Sequence, residues 1–202
     1  MERVQSPSVP VSRFPFSGFE TPVLIVHLLA LVMAIGPPVF FGLAVAPAAF
    51  RVLPTRDLAA SLTSPILTTG CGLAQGSFAV LFLSSWLLFR WWKAPQLSRS
   101  LATRAAILGM IAAVVVEKLL IPRMDRIRAE TPGLIDNLPA ADPSRLLLAR
   151  DHRLATAFFC AEIAAALIIL FLTAGSLVRR RPESLPAPSH PPVPKLLDLS
   201  DV

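Results

Sequence analysis

The stretch Pro22 to Pro54, PVLIVHLLALVMAIGPPVFFGLAVAPAAFRVLP, decides how the rest of the chain is read. Between Val23 and Phe50 it holds no Asp, Glu, Lys or Arg. A helix rises ~1.5 Å per residue, so ~20 apolar residues cross a ~30 Å hydrocarbon core. The segment exceeds that length and predicts a transmembrane helix with one polar intruder, His27. Its backbone fault is Pro37-Pro38: the pair removes two N–H donors, frees the carbonyls of Met33 and Ala34, and is expected to kink the helix in mid-membrane. Gly36 and Gly42 flank the fault as small packing positions. Ala44-Val45-Ala46 has the form of a signal-cleavage site, but the apolar run before it is longer than the usual ~7–15 residues. The first helix is therefore expected to be retained.

Composition agrees. Of 202 residues, 54% are hydrophobic and 16% charged, with a mean hydropathy of +0.64. Soluble domains carry roughly 25% charged residues, so the deficit points to lipid as the solvent. The net charge of +6 sits in connections and tails. No basic stripe carries interleaved aromatics, which argues against nucleic acid as a partner. Cys71 and Cys160 both lie in apolar blocks and read as small buried hydrophobes rather than a disulfide framework. No Walker loop, nucleophile elbow, dinucleotide fingerprint or zinc-type spacing is present, and no nucleophile–base pair suggests an enzyme.

Three further spans follow. Thr55 is placed to cap a helix with Asp57 in its first turn, and the chain is fully apolar from Ile66 to Phe89. There Gly72-x-x-x-Gly76 offers a face for close helix approach, and Trp86, Trp91 and Trp92 form an aromatic anchor at the exit. The third span is expected over about 101–121, interrupted near its end by Glu117-Lys118. Ser144 is expected to cap a lead into the fourth span, about 154–178, which carries Glu162. Residues 1–21 and the Pro-rich 179–202 read as disordered tails flanking a four-span domain over 22–178. The expected fold is an all-α integral membrane four-helix bundle with flexible cytoplasmic tails. Homo-oligomers through the small-residue faces are a further expectation.

Lys and Arg divide almost evenly between the two sides, 10 against 9. The acid-free connection from Arg90 to Arg104 and the triplet Arg179-Arg180-Arg181 share one side, whereas the opposite connections mix cations with acids. Both termini are accordingly assigned to the cytoplasm. In that orientation His27 lies one turn in from the cytoplasmic face. Gln75, Glu117 and Glu162 lie in the outer half, with His152 just outside it. A charge at mid-bilayer costs ~2.5–3.5 kcal/mol on insertion scales, so these polar groups are the candidate functional residues. Glu162 should be neutral or paired, with Gln75 or a freed carbonyl as interhelical partner. A metal site assembled from His152, Cys71, Cys160, Glu117 and Glu162 has no local ligand motif; no cofactor is expected.

The runs Val26-His27-Leu28-Leu29-Ala30, Gly36, Phe40-Phe41-Gly42, Val45-Ala46-Pro47 and Phe50-Arg51-Val52-Leu53-Pro54 resemble the opening of the domain of unknown function 4149, the bacterial relative of the transmembrane protein 205-like proteins. Ile121-Pro122-Arg123 is similar to that family's third-helix exit, and His152 stands where the family places a histidine before its last span. Family members follow that histidine with Ser three positions later; here Ala155 occupies that position and Thr156 follows. The resemblance covers about residues 22–178. It implies a four-helix domain of the bacterial inner membrane, of unestablished activity, with a weak pointer to transport or trafficking. The first span also resembles copper-resistance D-type membrane domains. That likeness implies, as the alternative, copper or haem handling through intramembrane His.

Overall fold

A computed structural model describes residues 18–179 apart from 132 and 134. The expected tails lie outside the described residues except at their inner edges. There the first helix already begins at Glu20 and the last ends at Arg179.

Helix α1 runs over Glu20–Phe40, continues through a widened, π-helical turn at Phe41–Val45, and ends as α2, Ala46–Val52. Helix α3 spans Arg56–Trp91. Helix α4, Gln96–Val115, passes through a second π-helical turn, Val116–Leu120, into α5, Ile121–Glu130. A short 3-10 turn, Ile135–Asn137, precedes α6, Pro143–Arg179. The four continuous stretches contain 33, 36, 35 and 37 residues. At ~1.5 Å per residue each exceeds a ~30 Å hydrocarbon core, so the helices extend beyond the 23–50, 66–89, 101–121 and 154–178 expected from hydropathy.

Both π-helical turns have the same local cause. Each is followed at its second residue by a proline, Pro47 after Phe41–Val45 and Pro122 after Val116–Leu120. A proline ring collides with the carbonyl four residues back, and widening the preceding turn moves that carbonyl aside. Pro37 and Pro38 stay inside α1, and the irregularity starts only at Phe41. The backbone fault thus falls one turn beyond the position expected from the Pro37-Pro38 pair.

Helix starts follow side-chain chemistry. Thr55 is extended, and its Oγ1 accepts the N–H of Leu58 at 3.2 Å. The cap of α6 corrects the expectation for Ser144. Asp142 Oδ1 accepts the N–H groups of Ser144 and Arg145 at 2.8 and 3.4 Å, with Pro143 as the first helical residue, a position that needs no N–H.

The four stretches form an up-down-up-down bundle in which α1 and α4 each pack against both α3 and α6. Only 22–44% of the most apolar window of each is buried within the chain, and Leu43, Leu108 and Phe171 point outward. Outward apolar surface on all four stretches is what a hydrocarbon solvent favours, and the chain is a multi-pass membrane protein. Its interior has three apolar layers. Leu88, Phe89, Trp92 and Ala102 form one end. Ala30, Ala34, Phe78, Leu81, Ala106 and Ile169 form the centre. Cys71, Val116, Leu120 and Met124 form the other end. Between these layers lie His27 and Glu162, both buried.

Candidate functional site

His27 sits between the first and central layers, fully buried. Its Nδ1 lies 2.8 Å from Ser84 Oγ on α3 and its Nε2 3.0 Å from Thr173 Oγ1 on α6. Ser84 spends its own proton on the carbonyl of Val80 at 2.6 Å, so it must accept from Nδ1–H. Thr173 can then donate to Nε2, and a neutral imidazole satisfies all of these groups. One side chain joins three helices, and both ring nitrogens are engaged.

Glu162 lies between the central and far layers, also fully buried. Neither of its carboxylate oxygens has a hydrogen-bond partner among the described residues. It forms part of the wall of a cavity of about 370 Å³. The remaining wall is almost wholly apolar: Pro37 and Pro38 of α1, Phe41 and Val45 of the first π-helical turn, and Leu67, Gly70 and Ala74 of α3. Phe40, Ile66 and Leu73 also line it and are 66%, 45% and 50% exposed on the outer surface. The cavity therefore opens sideways, between α1 and α3, toward the membrane.

Gln75 does not reach Glu162. Its Nε2 donates to Glu117, which lies in the second π-helical turn and also holds Lys118. Lys118 is exposed, so this carboxylate has a counter-ion that leads outward. Of the two intramembrane acids, Glu117 is satisfied and Glu162 is not.

At the end of the bundle that holds Thr55 and the 131–142 connection, His152 is exposed and lines a polar concavity with Arg56, Arg128 and Arg145. Thr156 Oγ1 donates to the carbonyl of His152 rather than to its ring. Beside it, Asp151 is buried. Arg123 Nε stands 2.9 Å from Asp151 Oδ2, although neither oxygen receives a well-directed hydrogen bond. Hydropathy reading missed this pair because Asp151 precedes the fourth apolar run and looks like part of a solvated loop.

Cys71 is buried and Cys160 faces outward, and both thiols are free. Among the described residues no three His, Cys, Asp or Glu side chains gather as a metal would require. Gly36, Gly42, Gly72 and Gly76 have nothing within 4 Å of where a Cβ would stand. The close approach inside the bundle is instead at Gly109, where that Cβ would lie 2.3 Å from the Phe78 ring. The three tryptophans also separate. Trp92 packs edge-on against Phe89 in the core, while Trp86 is exposed with the Arg90 guanidinium 5.8 Å from its ring centre.

Comparison of the chain with known family models, curated proteins and solved structures found no match.

Proposed function

We propose that this multi-pass membrane protein binds a lipophilic organic cation in the Glu162 cavity, as a transport-like component of the membrane. One observation carries the reading: a fully buried carboxyl without a hydrogen-bond partner among the described residues stands at the wall of an otherwise apolar cavity. Leaving a buried polar group unsatisfied costs ~1–3 kcal/mol, and an acid within a span adds its insertion cost. An arriving cation supplies the counter-ion that the chain does not, and apolar walls suit its hydrocarbon body. The volume falls in the ~300–1,000 Å³ range of small-molecule sites. A sideways mouth lined by Phe40, Ile66 and Leu73 favours entry from lipid. The two oxygens of Glu162 are themselves covered, so contact requires local movement, which we assign to the irregular wall element, the π-helical turn at Phe41–Val45.

Membership of the domain of unknown function 4149 family is part of the same proposal. The residues that carry the resemblance include Phe40, Phe41 and Val45, which line this cavity, and Pro47, which sets its widened turn. Placement in a bacterial inner membrane with both termini in the cytoplasm rests on the resemblance and on the acid-free Arg90–Arg104 connection. Copper or haem handling has less support, because ligation by His27 would have to displace Ser84 or Thr173.

Equilibrium dialysis of tetraphenylphosphonium against the detergent-purified chain tests the proposal. Saturable binding is expected, weakened at least ~10-fold (about 1.4 kcal/mol) by Glu162→Gln and unchanged by Glu117→Gln. No saturable binding, or equal binding by the Glu162 variant, would overturn it.

A further inference from the structure

The polar concavity at the opposite end from the tryptophans has a chemistry of its own. Arg56 opens α3, Arg128 lies in the last turn of α5, and Arg145 lies in the first turn of α6. Three separate elements thus bring guanidinium groups to one hollow of about 560 Å³, with His152 at its edge. Asp57 also lines the hollow, and Asp125 lies beside Arg128. Asp57 Oδ2 accepts the backbone N–H of Ile135 at 2.8 Å. Asp125 accepts from Ser64 Oγ and pairs with Arg128 Nη1, both at 2.9 Å.

Two of the arginines, Arg128 and Arg145, are held by the fold. Arg145 Nη1 donates to the carbonyl of Leu138 at 2.8 Å, which pins one edge of its fork. Arg128 is pinned by Asp125, and its Nε is buried without a hydrogen-bond partner among the described residues. A buried N–H without an acceptor is uncommon in folded proteins. An acceptor with several oxygens at tetrahedral angles would fill the hollow and meet the planar donor edges, which is the geometry of phosphate recognition by arginine. The hollow sits at the helix ends, within reach of lipid headgroups and of water-borne phosphate alike.

We propose that Arg56, Arg128 and Arg145 form a binding site for a phosphate group, carried by an anionic lipid headgroup or by a free phosphate. The site is separate from the Glu162 cavity and does not depend on the cation reading.

Thermal unfolding of the full chain in neutral detergent tests it, with phosphatidylglycerol, dioleoylglycerol and inorganic phosphate as probes and chloride matched for ionic strength. Phosphatidylglycerol or phosphate is expected to raise Tm saturably beyond chloride, and dioleoylglycerol is not. A response to the lipid alone identifies a headgroup site, and a response to inorganic phosphate identifies a soluble one. The double variant Arg128→Gln/Arg145→Gln should weaken the response at least ~10-fold, whereas Arg150→Gln, an exposed arginine outside the hollow, should not. If the double variant does not fold, Arg56→Gln serves in its place with a several-fold loss expected. No saturable shift beyond chloride, an equal shift with dioleoylglycerol, or an undiminished response in the folded variant would overturn the proposal.

Discussion

His27 Nδ1 stands 2.8 Å from Ser84 Oγ, although 57 residues separate the two in sequence. The bond ties α1 to α3 at the boundary between two apolar layers, and the second nitrogen extends it to Thr173 on α6. Interhelical hydrogen bonds within membranes contribute ~0.6 kcal/mol on average and up to ~1.7. Ser84→Ala leaves Nδ1–H without its acceptor and should destabilise the protein toward the upper end of that range. Thr173→Val should cost less, because Nε2 then lacks only a donor. A double-mutant cycle on His27 and Ser84, followed by unfolding in detergent, should return a coupling of ~0.5–1.5 kcal/mol. Additive effects would show that the bond contributes nothing.

Gly109 governs the α3–α4 contact. A Cβ there would lie 2.3 Å from the ring of Phe78, which is itself fully buried in the central layer. Overpacking of this kind costs ~1–3 kcal/mol, since ring and backbone must both shift. Gly109→Ala should therefore lower the unfolding temperature clearly, and Gly109→Ala/Phe78→Leu should recover part of the loss. Gly76→Ala should be nearly neutral to the fold, because beyond the local backbone of its own helix no described atom lies within 4 Å of the added methyl. Any effect of Gly76→Leu would then appear in self-association, measured by crosslinking or native mass spectrometry, where a second copy supplies the missing neighbour.

The Arg123–Asp151 pair is unequal. Asp151 is 1% exposed and Arg123 50% exposed, so the two partners fare differently when left alone. Arg123→Ala strands a buried carboxylate and should cost ~1–3 kcal/mol. Asp151→Ala leaves a solvated guanidinium and should cost under ~1 kcal/mol, in line with the small contribution of exposed ion pairs. Equal losses from the two variants, measured by thermal unfolding, would show that the carboxylate is not buried in solution.

Much of the architecture was legible from local signals. Hydropathy marks four spans, and Thr55 is a cap because its hydroxyl suits the N–H of a residue three further on. What was not legible depends on partners brought from a distance. Nothing near His27 in sequence indicates Ser84 or Thr173, and nothing near Glu117 indicates Gln75. Two local signals were open to reading and pointed elsewhere. The conspicuous Pro37-Pro38 pair drew attention from the single prolines, Pro47 and Pro122, that follow the widened turns. The spaced glycines of α3 likewise drew attention from the lone Gly109, whose role is set by a ring on another helix. Glu162 was evident as an acid in an apolar run. Its lack of a partner is a three-dimensional fact.

That lack gives the clearest separation of stability from function. If Glu162 served the fold, its removal would weaken the bundle. The carboxyl makes no hydrogen bond within the described chain and lies between apolar layers, so Glu162→Leu replaces an unsatisfied polar group with a side chain that packs. Replacing buried polar groups with well-packed apolar ones is often neutral or stabilising by ~1–4 kcal/mol. Glu162→Leu should therefore unfold at a higher temperature than the parent chain while losing saturable cation binding. Glu162→Gln should lie nearer the parent in stability, since an amide in the same place is also unsatisfied, and should lose binding as well. A destabilised Glu162→Leu protein would assign the carboxyl to the fold. A stabilised one that still binds the cation would move the site away from Glu162.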